Sequence, residues 1–242
     1  MKTIGLLSYL QFKELLGEAK KISDPAWCRF VLRPLSFPVG WLIYKTGMTA
    51  NSISLISIVI TIFSSFILVI GSANSVILVS FLMLLVGLLD CIDGNVARAR
   101  GETGPGGEWM DAFSGYTVYA LIPLALGIHI DLYYPLSVLP GFWIIVGALT
   151  SISNLFLRLL YQKFVSSKLD EFTQKDFKGS DSLFSRFSSE MGLVGWMMPV
   201  LLVASITNML EVYLALYCFF YMTSAVMISI ILVRKITSPQ IR

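Results

Sequence analysis

Charge is scarce in this chain. Asp, Glu, Lys and Arg make up 14% of its 242 residues, hydrophobic residues make up 56%, and the mean hydropathy is +0.77. A soluble domain of ordinary composition carries about 25% charged residues, so the polytopic membrane class is the one left. Period-two alternation is also missing. The apolar runs are continuous, which excludes a transmembrane barrel and leaves helices. Cysteine is limited to Cys28, Cys91 and Cys218, without metal-ligand spacing or an even-numbered framework, and all three read as small packing residues. The single histidine, His129, falls near the outer end of a predicted span and reads as an interface residue. Internal repeats and low-complexity tracts are absent. The stretch after Met1 lacks a separate apolar core with a small-residue cleavage site, so no removed signal peptide is expected.

What the chain does have is apolar runs that reach or approach the roughly 20 residues needed to cross a bilayer as helix. Six spans are predicted, at about 53–71, 75–97, 109–130, 137–161, 191–207 and 210–233. The connections 72–74 and 131–136 contain no Lys or Arg, whereas 98–108, 162–190 and both termini are basic. With the N-terminus inside, all 18 Lys and Arg fall on the cytoplasmic side or at its boundary. Lys and Arg bias sets orientation, and it predicts a multi-pass integral membrane protein with both termini cytoplasmic.

Three parts follow in sequence: interfacial helices over 1–46, a six-helix transmembrane domain over 47–236, and a cytoplasmic tail over 237–242. Residues 3–21 carry Ile4, Leu7, Leu10, Leu15 and Leu16 between charged positions. The pattern fits a helix lying on the membrane or one packing on its own protein. Ser23-Asp24-Pro25 reads as a helix start with Ser or Asp as cap. The run that follows is interrupted by Pro34 and Pro38 and is placed at the cytoplasmic interface, with Trp27, Trp41 and Tyr44 at headgroup depth. In the loop 162–190 phenylalanines interleave with lysines, which suits either an anionic lipid surface or an ordinary connector. Its acids balance its bases, so nucleic acid is not an expected partner.

The costly feature is Asp90–Gly115, DCIDGNVARARGETGPGGEWMDAFSG. An ionisable residue in a membrane helix costs roughly 2.5–3.5 kcal/mol on insertion scales and marks a functional site by default. Asp90, Asp93 and Ala97 stand at i, i+3 and i+7, on one helical face. Gly94 lets a ligand or a neighbouring helix approach the backbone. The Gly-Pro-Gly-Gly element at 104–107 blocks helix continuation, and Asp111 falls in the first turns of the next helix. Hard oxygen ligands of this kind suit Mg2+ or Mn2+ together with substrate phosphate oxygens, and Arg98 has the fork geometry to clamp a diphosphate. A salt-bridge network of these acids with Arg98 and Arg100 is the structural alternative.

The spacing Asp90-x2-Asp93-Gly94-x2-Ala97-Arg98-x8-Gly107-x3-Asp111 resembles the signature of the CDP-alcohol phosphotransferase family. Arg33-Pro34-Leu35-Ser36 and Thr49-Ala50-Asn51-Ser52-Ile53-Ser54 are similar to segments preceding the first span in many members. The resemblance implies an all-α integral membrane fold of six transmembrane helices and a divalent-metal-dependent transferase. Such an enzyme moves a phospho-alcohol group from a CDP-alcohol donor to an acceptor and releases CMP. It implies metal ligation by Asp90, Asp93 and Asp111, and nucleotide contacts from Asn51, Asp90, Gly94, Ala97, Arg98 and Gly107. Arg158, at the cytoplasmic end of the fourth span, is assigned to an acceptor phosphate. Membrane lipids, a lipid or small phosphorylated acceptor and a second copy of the chain are the expected partners.

One position departs. The family pattern continues with a fourth aspartate, credited with deprotonating the acceptor hydroxyl, and here that position is Gly115. General-base help is worth about 10²–10⁴ in rate. Three explanations remain open. Glu108, one turn before Asp111, or Tyr116 replaces the base; the acceptor is already anionic and needs none; or the protein binds nucleotide or lipid without turnover. A cation or metabolite transporter is the reading from a third class, disfavoured because only Asp131 and Glu211 stand on the outer side.

Overall fold

The computed structural model describes residues 7–15, 24–134, 139–166 and 189–237, all-α and without strands among them. Five helices are long and apolar enough to cross a bilayer: α3 (Ala50–Ile70), α4 (Ser75–Arg100), α5 (Pro105–Tyr133), α6 (Phe142–Ser166) and α8 (Leu210–Ile236). The sixth apolar helix is shorter, Leu193–Ile206. At about 1.5 Å per residue it reaches roughly 21 Å, less than the roughly 30 Å hydrocarbon core. Its first part is a π turn, Leu193–Met197, bent at Gly195 (φ −92°, ψ −139°), and α7 (Met198–Ile206) continues from it. A Cβ on Gly195 would meet the backbone of Ser189 and Glu190, so this bend requires glycine.

α3 is apolar outward and carries a row of hydroxyls inward. On α3 the outward row is Leu55, Val59, Phe63, Phe66 and Ile70, all exposed, while Ser54, Ser57, Thr61 and Ser64 are buried. Lipid offers no hydrophobic drive between helices, so small side chains that allow close approach and hydroxyls that bond to backbone carry the packing. α3 packs against both α4 and α5, α5 against α6, α6 against α8, and α7 against α4. Met83, Ile122, Leu126, Met197, Leu201 and Leu214 fill the centre where these elements meet.

Before α3 come α1 (Tyr9–Glu14), a π turn (Cys28–Leu32) and α2 (Arg33–Lys45). The two prolines do not interrupt this segment, contrary to expectation. Pro34 stands in the first turn of α2, where a missing N–H is tolerated, and Pro38 lies inside a helix that continues to Lys45. The π turn in front of it places the Arg33 N–H on the Cys28 carbonyl. The helix start differs too. Asp24 gives its carboxylate to Arg33, and the Ala26 N–H is accepted instead by both oxygens of Glu190 at 2.9 and 3.0 Å, from 164 positions away. Ser23 lies outside the described residues. α1 rests on α2, with Phe12 buried against Tyr44, Ile53 and Ile92.

His129 also departs from expectation. It is fully buried, with Nδ1 2.8 Å from the Leu68 carbonyl and Nε2 3.3 Å from that of Ala73, so it joins α5 to the end of α3 rather than facing an interface. Cys28, Cys91 and Cys218 are free and buried, as packing residues should be. Most of the loop 162–190 and of the C-terminal tail falls outside the described residues.

Candidate active site

α4 ends where its sequence tells it to. Gly101 takes the left-handed conformation (φ 68°) that closes a helix, and the Glu102 N–H returns to the Ala97 carbonyl at 2.9 Å. α5 then starts at Pro105, a residue preorganised for a first helical turn. Both helices pack on α3, so the hairpin 100–105 and the start of α3 enclose a cleft of about 270 Å³. From α4 it is lined by Asp90, Asp93, Gly94, Ala97 and Arg98. From the hairpin and α5 come Glu102, Gly107, Glu108 and Asp111, and from α3 come Asn51 and Ser54. Every predicted metal and nucleotide residue, and Glu108, therefore meets the same space.

The three aspartates differ in setting. Asp93 is buried, and Ser54 Oγ donates to its Oδ2 at 2.7 Å. Asp90 is half-buried and Asp111 exposed, both within electrostatic reach of Asp93. Among the described residues no three acidic, thiol or imidazole groups are gathered closely enough to form a preassembled metal cage. The donor chemistry nonetheless fits a hard cation. Five carboxylates line the cleft against two guanidinium groups, and like charges at short range in a low dielectric repel strongly. Cys91, next to Asp90 in sequence, turns onto Cys28 with sulfurs 3.5 Å apart, and His129 is engaged near the other end of α5. Oxygen donors are what remain, the set preferred by Mg2+ and Mn2+.

Arg98 folds back along its own helix. A Cβ placed on Gly94 would lie 3.5 Å from Arg98 Nη1 and 3.6 Å from Nη2, so the guanidinium occupies the ground that glycine leaves open. Its Nη2 donates to Asn95 Oδ1 at 2.7 Å. Arg100 turns away from the cleft and donates to the Tyr44 carbonyl at 2.9 Å.

Arg158 stands apart from the cleft lining. It lies on α6 with its guanidinium carbon 3.9 Å from the Tyr119 ring centroid, and its Nε donates to Asn154 Oδ1 at 2.8 Å. Tyr116, a candidate replacement base, donates to Gln162 Oε1 at 3.3 Å. Gly115 lies on the same helix, and nothing is within 4 Å of the position a Cβ would take there.

The family model for CDP-alcohol phosphatidyltransferase matches residues 47–230, well over half of the chain. The chain belongs to that family. No curated protein matches it. As a CDP-alcohol phosphatidyltransferase family member it is a membrane transferase by class. The family generally depends on a divalent metal and uses a CDP-alcohol donor and an alcohol acceptor, with membrane lipids.

Three residues of this family member's cleft escape sequence reasoning. Ser54 follows Asn51 by three positions and so shares its helical face, a signal that was available. Glu102 accepts the Ala50 N–H at 3.4 Å and anchors the hairpin to the start of α3, which no local pattern announces. Arg33 reaches the cleft from α2, ahead of the matched region. Its Nε donates to Asp24 Oδ2 at 2.6 Å, and both side chains are buried. Burial is the largest single influence and opposes the Arg33 charge, but the Asp24 hydrogen bond and the surrounding charges together outweigh it and raise the pKa above its ordinary value.

Proposed function

We propose that this protein transfers a phospho-alcohol group from a CDP-alcohol to an acceptor at the cytoplasmic membrane face and releases CMP, with Asp90, Asp93 and Asp111 holding Mg2+ or Mn2+. The observation that carries the reading is the convergence of those aspartates, Arg98 and the small residues Gly94, Ala97 and Gly107 on one cleft. A divalent cation in that place supplies Lewis acidity toward the phosphoryl oxygens and offsets developing negative charge. The chain's own parts do the positioning. Asn51, Gly94, Ala97 and Gly107 accommodate the nucleotide, and Arg98 holds the diphosphate by parallel hydrogen bonds.

In the transfer an acceptor oxygen attacks the phosphorus bearing the alcohol, a new P–O bond forms, and the bond to the bridging oxygen breaks. That oxygen leaves with its electron pair as part of CMP. A hydroxyl acceptor must also lose its proton, and Gly115 offers no group to take it. The reading therefore favours an acceptor that is already anionic at neutral pH, a phosphate, phosphonate or carboxylate, with Arg158 as its counter-charge. Glu108, in the cleft one turn before Asp111, is the residue to take the proton if the acceptor is a hydroxyl.

The test is CMP release from a panel of CDP-alcohols with candidate acceptors, in the presence and absence of Mn2+. Metal-dependent release supports transfer. CDP-alcohol binding without release by the purified protein would replace this reading with a non-catalytic binding role on the same scaffold. The open space at residue 115 lets Gly115→Asp fold, and with the native acceptor it should leave turnover unchanged. A gain approaching the roughly 10²-fold typical of a restored general base would show that the acceptor is a hydroxyl.

A further inference from the structure

Asn95 sits inside the motif at one of its unspecified positions and is engaged at both ends of its amide. The side chain is buried, and Oδ1 accepts from two guanidinium groups, Arg98 Nη2 at 2.7 Å and Arg33 Nη1 at 3.4 Å. Nδ2 donates to Ser36 Oγ at 3.0 Å, and Ser36 Oγ donates to the Arg33 carbonyl at 3.0 Å. An amide oxygen has two lone pairs, and both are used. Turning the amide over would set its NH2 against two cationic donors, so one orientation alone satisfies the network.

Two guanidinium groups that converge on one oxygen repel each other. The arrangement holds because Asp24 neutralises Arg33 from its far side, through Nε at 2.6 Å and Nη2 at 3.4 Å. What results is a relay from Asp24 through Arg33 and Asn95 to Arg98. It starts in the segment preceding the family-matched residues 47–230 and ends over Gly94 in the cleft. A long arginine side chain otherwise samples many rotamers, and ordering it at the moment of binding weakens affinity.

We propose that Asn95 is a positioning residue. Its amide oxygen holds the Arg98 guanidinium over Gly94, ready for the diphosphate of a nucleotide, and the buried Asp24–Arg33 pair holds the amide. This rests on the reading of the cleft as a CDP-alcohol site and adds to it the device that preorganises its arginine.

The experiment is equilibrium binding of CDP, at fixed Mg2+, to the full-length protein in nanodiscs. The proteins compared are wild type, Asn95→Ala, Asn95→Leu, Arg98→Ala and the double variant Asn95→Ala/Arg98→Ala. Both Asn95 variants should bind CDP about tenfold more weakly, the lower end of the scale for a lost hydrogen bond to a charged group. In the Arg98→Ala background the Asn95 change should have no further effect, within twofold. A merely structural role would instead subtract the same amount again, because it does not act through Arg98. Wild-type affinity in Asn95→Ala, a full additive loss in the double variant, or failure of both single Asn95 variants to fold would each overturn the proposal. Failure of the wild type to bind CDP would overturn the proposed function itself, a result separable from the other three.

Discussion

At the scale of single residues, the cleft depends on groups that do not themselves have to touch a substrate. Ser54 Oγ donates to the buried Asp93 carboxylate across the α3–α4 interface and orients it toward the cleft. Groups that orient a metal ligand typically govern 10–100-fold in affinity or activity. On the proposed role of Asp93 as a metal ligand, Ser54→Ala should therefore weaken Mn2+ binding about tenfold by that measure, read from free Mn2+ in an electron paramagnetic resonance titration. The fold should survive, since the substitution adds no volume.

At the scale of elements, α5 and α6 cross at a contact that only glycine permits. Gly127 faces Gly147, and a Cβ on Gly147 would meet the Pro123 carbonyl oxygen at 2.5 Å and the Gly127 Cα at 3.2 Å. Backbones approach this closely in membranes only through small residues. Gly147→Leu should force the two helices apart and destabilise the protein, by about 1–3 kcal/mol on the scale of overpacked cores. Thermal unfolding in detergent reads that loss. Gly106→Ala, at an exposed position with open space around its Cβ, should leave the melting curve where it is. Because α6 also carries Arg158, the proposed counter-charge of the acceptor, the Gly147 substitution should disturb acceptor use before nucleotide binding.

At the scale of the whole molecule, the placement of charge makes a prediction about sidedness. Asn74, in the connection between α3 and α4, and Lys163, at the far end of α6, are both exposed and belong to opposite ends of the helices. With the basic ends cytoplasmic, Asn74→Cys should react with a membrane-impermeant maleimide in intact cells, and Lys163→Cys only after the membrane is opened. The native cysteines are buried and do not interfere. Labelling in the reverse pattern would put the cleft on the outer face, away from cytoplasmic nucleotides, and would count against the proposed donor.

Local sequence was enough to specify the membrane class, the long helices and most of the residues that line the cleft. These properties are local. Long apolar runs must become helices in lipid, because every backbone group has to be satisfied within its own segment. Asp90, Asp93 and Ala97 share a face through helical periodicity alone, and Gly101 and Pro105 mark the hairpin that brings Asp111 opposite. Tertiary structure decided what depends on pairs distant in the chain. Glu190 caps the turn at Ala26 in place of a neighbour, and His129 is buried by carbonyls of α3 and the connection after it. Arg33 reaches Asn95 across 62 positions, and through it Arg98. No periodicity announces a contact of that kind, because the energy that selects it, desolvation set against charge pairing, exists only once the helices have packed.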